Sequence, residues 1–158
     1  MPAPTFRAAR RVDLPAIVAL LADDALGATR ERVADPLPPG YLAAFEAIEA
    51  DPNHELLVAC LDDAVVGVLQ LTYTPHLVQQ GAWRATIEGV RVASARRAQG
   101  IGAALFDQAF ARARARGCRI VQLTTDKRRP DARRFYERLG FVASHEGMKL
   151  TLPDAGDA

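Results

Sequence analysis

Between Trp83 and Arg116 the chain writes a strand, a glycine-bearing loop and a helix in direct succession. Trp83 to Val92 reads as a strand, and Ala93 to Gly100 as a loop ending in glycine. Ile101 to Arg116 reads as a helix, with Ile101, Leu105 and Ala109, and the neighbouring Phe106 and Phe110, facing inward. Gly117 closes it. Gly100 and Gly102 let a backbone approach a ligand closely. The first-turn N–H groups of the helix have no internal acceptor and lie at the positive end of its dipole, which suits an anion. The nucleotide-binding motifs do not fit. Ala103-Ala104 follow Gly102 where a phosphate-loop Lys and Ser/Thr belong, and Leu105 stands where the dinucleotide fingerprint needs its third Gly or Ala. Two readings remain open at this point, a plain helix entry or an anion site; Arg97, three residues before Gly100, favours a phosphate.

The rest of the chain frames this unit. Thr5 to Ala9 is a short edge strand. Asp13 reads as an N-cap for a helix with Leu14, Ile17, Val18 and Leu21 on one face, and Pro15 is tolerated in its first turn. Asp35-Pro-Leu-Pro-Pro-Gly40 breaks the chain, and Tyr41 to Ala50 resumes helical period with Leu42, Phe45 and Ile48. Glu55 to Leu61 and Ala64 to Tyr73 form a hairpin about Asp62-Asp63, and Pro75 to Gly81 is a loop. Arg119 to Thr125 reads as a buried strand. Asp131 to Leu139 is a helix with Ala132, Phe135, Tyr136 and Leu139 at i, i+3, i+4 and i+7, ended by Gly140. Phe141 to Ala143 and Met148 to Leu152 read as a final pair of strands. Strands flank and interleave with helices, so the class is α/β with a mixed sheet. The expectation is one domain over residues 1–152 and a frayed tail over 153–158.

The chain has 158 residues, enough to bury a core without disulfides or a structural metal. No apolar run approaches the roughly 20 residues of a membrane span, and no apolar stretch follows the basic residues of Met1 to Arg11, so no secretory signal is read. Cys60 and Cys118 make no metal spacing, and His54, His76 and His145 are scattered. The expectation is a cytoplasmic protein with reduced thiols, no metal and no membrane partner. Residues 1–83 carry 5 basic and 11 acidic side chains, whereas residues 84–138 carry 14 basic and 5 acidic. The basic third could meet a polyanion or be a solvated helix face. Aromatics do not interleave with its arginines as a nucleic-acid stacking surface requires, so no nucleic-acid partner is expected.

With these residues in view, Arg97-x-x-Gly100-x-Gly102 resembles the acyl-CoA pyrophosphate loop of the GNAT N-acetyltransferases. Ala132-Arg-Arg-Phe135-Tyr136-Glu-Arg-Leu139-Gly140-Phe141 resembles the family's second signature, an aromatic-Tyr pair four residues before Gly-Phe. The motif-bearing match runs from about Trp83 to Phe141, and Arg10 to Leu21 is similar to the family's first helix more loosely. The resemblance implies the GNAT acyl-CoA N-acyltransferase fold, a central mixed and mostly antiparallel sheet flanked by about four helices. It implies acetyl-CoA as acetyl donor. Val90, Arg91 and Val92 would offer backbone groups to the pantetheine arm. Arg97, Ala98, Gln99, Gly100, Ile101, Gly102 and Ala103 would hold the pyrophosphate. The strands containing Val90 and Val121 would splay around the thioester, and Tyr136 would point its phenol at the CoA sulfur. A homodimer is one assembly the resemblance allows. Many members carry an Asn seven residues before the Tyr; here that position is Arg129, and Asp131 reads as the helix cap.

Acetyl transfer to an amine has three demands. An ammonium of pKa about 10.4 must lose its proton; the oxyanion needs donors, which a backbone N–H near Val90 could supply; and the departing thiolate benefits from a proton, which a phenol can give. Tyr136 takes the acid role through the resemblance. Glu88, the only carboxylate on its strand, lies two residues before Val90 and so shares its face; it is either a base acting through water, a solvent-facing residue or a substrate contact. The acceptor would be a primary amine of a small molecule, peptide or protein, entering near Asp35 to Tyr41 and the Pro75 to Trp83 loop. Asp23, Asp24 and Glu31 hint that it is cationic. The alternative reading is a non-catalytic acyl-CoA-binding regulatory domain on the same fold.

Overall fold

The computed structural model describes residues 2–154. The predicted tail over 153–158 lies mostly outside them. The described residues form two compact units, divided between Leu123 and Thr124. The first holds a five-stranded sheet in the order β1-β2-β3-β4-β5, made of β1 (Thr5–Ala8), β2 (His54–Leu61), β3 (Ala64–Pro75), β4 (Trp83–Val92) and β5 (Cys118–Leu123). Neighbours run antiparallel except β4 and β5, which are parallel. The helices of this unit are α1 (Leu14–Leu21), α2 (Gly27–Arg30), α3 (Pro39–Ala50), the single turn α4 (Val78–Gly81) and α5 (Ile101–Ala115).

Local chemistry accounts for the central elements. Asp62 and Asp63 both adopt left-handed φ, 47° and 65°, the two-residue turn whose twist matches an antiparallel hairpin. The helix α5 buries Ile101, Leu105, Phe106, Ala109 and Ala113, ends on Gly117 at φ 74°, and packs Phe106 edge-on against Phe110 at 5.8 Å. The strand residues Leu57, Ala59, Leu69, Leu71, Ala85 and Ile87 are fully buried and by register share one sheet face. Gly67 lies on that face, and Ile101 Cγ2 sits 3.7 Å from where its Cβ would be, so α5 covers it. On the opposite face α1 packs Ile17 and Leu20 onto Val58, Cys60 and Val68.

Asp13 does precede α1, but its carboxylate caps no N–H of α1 and instead closes the 3-10 turn Arg11–Asp13 that leads into it. It is 6% exposed and accepts two bonds from Arg7, Nη1 at 2.6 Å and Nη2 at 3.0 Å, and one from the Arg10 N–H at 2.7 Å. A bidentate guanidinium outcompetes the neutral amides for this anion, and the pair ties β1 to the start of α1. The Arg7 bond holds the Asp13 carboxyl below the usual carboxylate range. Its stabilisation is therefore fully present above the unfolded pKa of about 3.9 and is lost as pH falls through the depressed folded value. Asp13→Asn is expected to cost about 2–4 kcal/mol in urea unfolding at neutral pH, because Arg7, 29% exposed, is left half-paired. The deficit should shrink toward zero in strong acid.

The second unit contains α6 (Pro130–Arg138). Ala132, Phe135, Tyr136 and Leu139 are its half-buried residues, the face that the spacing predicts. Two expectations fail here. Asp131 lies in the first turn rather than at the cap, which Arg129 occupies, and the Asp131 carboxylate pairs with Arg134. No strand forms over residues 141–154. The alternation that suggests one puts Met148, Leu150 and Leu152 on a common side, and that side is 95%, 84% and 77% exposed, so extended pairing gains no burial. A third correction concerns β5, which is half-buried rather than buried and ends the sheet.

Candidate active site

Two distortions of β4 make the site. Gln70 faces Glu88 and Val68 faces Arg91, so Gly89 and Val90 together oppose the single residue Leu69. This is a β-bulge. Gly89 sits at φ +60°, which only glycine adopts cheaply; a Cβ there would touch nothing closer than Leu21 Cδ2 at 3.9 Å, so conformation rather than space selects glycine. The second distortion is a parting of strands. Pairing with β5 runs from Trp83 opposite Cys118 to Ile87 opposite Leu123 and then stops. Val121, opposite Ala85, is still inside the paired stretch, and Val90 is beyond it. From Glu88 to Val92, β4 has no partner strand on its β5 side among the described residues.

The loop after β4 is pinned to the end of α1. The Ser94 N–H donates to the Asp23 carboxylate at 2.7 Å, which pushes the Asp23 carboxyl pKa down. Arg97 donates to the Asp23 carbonyl at 2.9 Å and to the Val92 carbonyl at 3.2 Å. Ala98 and Gly100 then adopt left-handed φ, 59° and 79°, and turn the chain into α5. The first helical bond runs from the Ala104 N–H to the Gly100 carbonyl at 3.0 Å, so the N–H groups of Ile101, Gly102 and Ala103 have no acceptor within the helix. The first turn carries no acidic residue, Ala98 to Gly100 are exposed, and a Cβ built on Gly100 would meet nothing within 4 Å. Solvent-open main-chain donors at the positive end of a helix suit an anion.

The expected residues fall as follows. The first unit brings together Glu88, Val90 to Val92 and the Arg97–Ala103 loop. Glu88 is exposed and shares a face with Thr86 and Arg84. The carbonyls of Val90 and Val92 accept bonds from Arg91 and Arg97. Tyr136 belongs to the second unit, half-buried, its ring 5.6 Å from Phe135 and edge-on to Phe141 at 6.1 Å. Three carboxylates expected to meet a cationic acceptor are engaged inside the first unit: Asp23 with Ser94, Asp24 with Arg91 at 3.5 Å, and Glu31 with the Tyr41 hydroxyl at 2.7 Å. Several arginines of the basic third are likewise paired, Arg112 with Glu55 at 2.6 Å and Arg133 with Glu137 at 2.9 Å. Cys60 is buried and Cys118 half-buried, and burial pushes the Cys118 thiol up, away from a nucleophile's thiolate. Among the described residues no helix is long and apolar enough to cross a membrane, and no three His, Cys, Asp or Glu side chains cluster to hold a metal.

Residue-type reasoning missed a polar field on the α1 side of the sheet. Thr72 Oγ1 lies 3.3 Å from His54 Nδ1, and Gln122 Nε2 donates to Thr86 Oγ1 at 3.1 Å. His54, Thr72, Thr86 and Gln122 thus form one row across four strands. Its signal was present in the period-two run Gln70, Thr72, Thr74 within an otherwise apolar strand.

A bulged strand parts from its parallel neighbour and is followed by a left-handed loop of main-chain donors. Comparison places this architecture. The acetyltransferase (GNAT) family profile matches residues 16–141, and the chain belongs to that family. It is 36% identical over 101 residues to the aminoalkylphosphonate N-acetyltransferase of Salmonella typhimurium strain LT2, spanning 64% of this chain and 65% of that protein. A crystal structure described as a transcriptional regulator from Bacillus halodurans C-125 is 57% identical, with TM-score 0.93 over 95% of this chain and 100% of that one. An acetyltransferase of Trypanosoma brucei is 26% identical, with TM-score 0.75 over 95% and 100%. AAC(6')-Iy, solved with the bisubstrate analogue CoA-S-monomethyl-acetylneamine, shares the fold at 16% identity and TM-score 0.78 over 96% and 99%.

Proposed function

We propose that the protein transfers the acetyl group of acetyl-CoA directly to a primary amine of a small molecule or peptide, with residues 1–152 working as one domain. The parting of β4 and β5 immediately beside an N–H-lined helix entry carries this reading. The main-chain donors of Arg97, Ala98, Gln99, Gly100, Ile101, Gly102 and Ala103 would hold the pyrophosphate, and Val90, Arg91 and Val92 would pair with the pantetheine arm as an added strand does. A β4 N–H at the bulge would stabilise the oxyanion. Acetyl-CoA supplies the activated carbonyl. Glu88, exposed at the mouth of the opening, takes the ammonium proton through water, and the freed lone pair forms the C–N bond. As the C–S bond breaks, the nitrogen sheds its second proton to solvent, Tyr136 gives its phenolic proton to the sulfur, and the phenolate recovers one from solvent. The Salmonella relative's acceptor, named in its description, supports a small amine here.

The neighbour described as a transcriptional regulator keeps a second reading in play, in which CoA binds without turnover. One assay separates them. Purified protein with acetyl-CoA and a panel of amines is expected to release free CoA thiol in step with acetylated product. Calorimetric binding of acetyl-CoA with no thiol released by any amine would select the regulator, and no binding at all would end both readings.

A further inference from the structure

We infer that the acceptor is an amine that also carries an acid group, and that Arg84 on β4 is the residue that holds this acid. The inference rests on the proposed acetyl transfer and specifies its substrate class.

Arg84 Nε is buried and has no hydrogen-bond partner, unusual for a donor of this strength, since burying a guanidinium N–H unmet costs the desolvation of a charged group. Among the described residues no carboxylate pairs with it. Its neighbours in the same row are Thr74 on β3 and Ile120 on β5, and the next row, His54, Thr72, Thr86 and Gln122, contains no carboxylate. The other buried or half-buried arginines of this unit have anions of their own, Arg7 with Asp13, Arg91 with Asp24 and Arg112 with Glu55. Arg84 is the exception, so its anion is supplied from outside the described chain.

Its position says which ligand. The cofactor loop lies beyond the C-terminal end of β4, and the strand opening begins at Glu88. Arg84 stands on the same face four residues toward the other end. The acetyl donor enters from the Val92 end, so the Arg84 end is left for the acceptor. Four residues of strand span about 13 Å between Cα atoms, and a Glu and an Arg side chain are together long enough to close most of that interval. An acceptor whose amine meets Glu88 and whose acid meets Arg84 is therefore short, a few bonds from nitrogen to acid. The row of Thr72, Thr86 and Gln122 supplies neutral hydrogen-bonding groups between the two. A guanidinium presents a planar fork that fits either a carboxylate or a phosphonate, and the two are separated by experiment.

The test compares matched acceptors with and without the acid: 3-aminopropanoate and 2-aminoethylphosphonate against propylamine and ethanolamine. Wild-type protein is expected to show kcat/KM at least 30-fold higher for one of the acids than for its neutral partner, and the larger value identifies carboxylate or phosphonate. Arg84→Met is expected to raise KM for that acid at least 30-fold and leave kcat/KM for the neutral amines within 2-fold, with Arg84→Lys recovering part of the loss. Unchanged turnover of neutral amines also shows that the variant is folded. Acetylation of neutral amines with no preference for acids, or an acid preference that Arg84→Met leaves intact, overturns the inference while the transferase reading stands. If no amine of either kind is acetylated, the transferase reading falls and takes this one with it.

Discussion

Tyr136→Phe is expected to lower kcat by about 10²–10³-fold while leaving the Kd for acetyl-CoA within 2-fold, measured by thiol release and by calorimetry. General acid catalysis contributes about 10²–10⁴ in rate, and removal of one hydroxyl deletes that contribution. The ring itself has a separate task. It packs between Phe135 and Phe141, and the Tyr136 carbonyl accepts the Phe141 N–H at 3.1 Å, which closes α6 through Gly140 at φ 98°. Phenylalanine keeps all of these, and a melting curve recorded beside the kinetics shows that the variant is folded. The mechanism also predicts an isotope signature. If proton delivery to sulfur is part of the slow step, wild-type kcat should fall in deuterium oxide, and the variant should lose that sensitivity. A variant that turns over at the wild-type rate removes Tyr136 from the chemistry and leaves it as a packing residue of α6.

What could be read from sequence was what is local. The β4 boundaries, Trp83–Val92, follow from alternation bounded by a glycine-rich loop, and the half-buried face of α6 follows from a 3.6-residue period. Both signals are carried by neighbours in the chain. What escaped is decided by competition between distant partners. Asp13 reads as a cap because a carboxylate before an apolar helix usually is one; the Arg7 fork, six residues away on β1, is the stronger donor. Asp23 and Ser94 are 71 residues apart, and nothing at either position announces the bond that pins the loop before α5. Met148, Leu150 and Leu152 carry a strand's alternation, yet alternation stabilises a strand only when one side is buried. The polar rows beside Glu88 were legible as an even-numbered run in β3, but their meaning needed the register that joins them to Arg84 and Gln122.

The cofactor loop permits a sharper experiment, because stability and binding should respond to one substitution with opposite signs. Ala103 is in the first turn of α5, half-buried, among N–H groups that lack internal acceptors and in a turn with no acidic residue. Ala103→Glu places a carboxylate at the positive end of the helix dipole, which should raise stability by about 0.3–1 kcal/mol. The same carboxylate occupies the donors a diphosphate needs and repels its charge. Loss of two charge-assisted hydrogen bonds costs about 3–4 kcal/mol in sum, so the Kd for acetyl-CoA should rise by about 10²–10³-fold. Ala103→Gln, of equal size and uncharged, should cost less than 10-fold, and added salt should narrow the gap between the two variants. Acetyl-pantetheine, which has the thioester but no diphosphate, provides the internal control: its kcat/KM should be the same in wild type and in Ala103→Glu. Equal loss with both donors would mean that the substitution damages the catalytic cleft, and undiminished affinity for acetyl-CoA would mean that the diphosphate is held elsewhere than at the entry to α5.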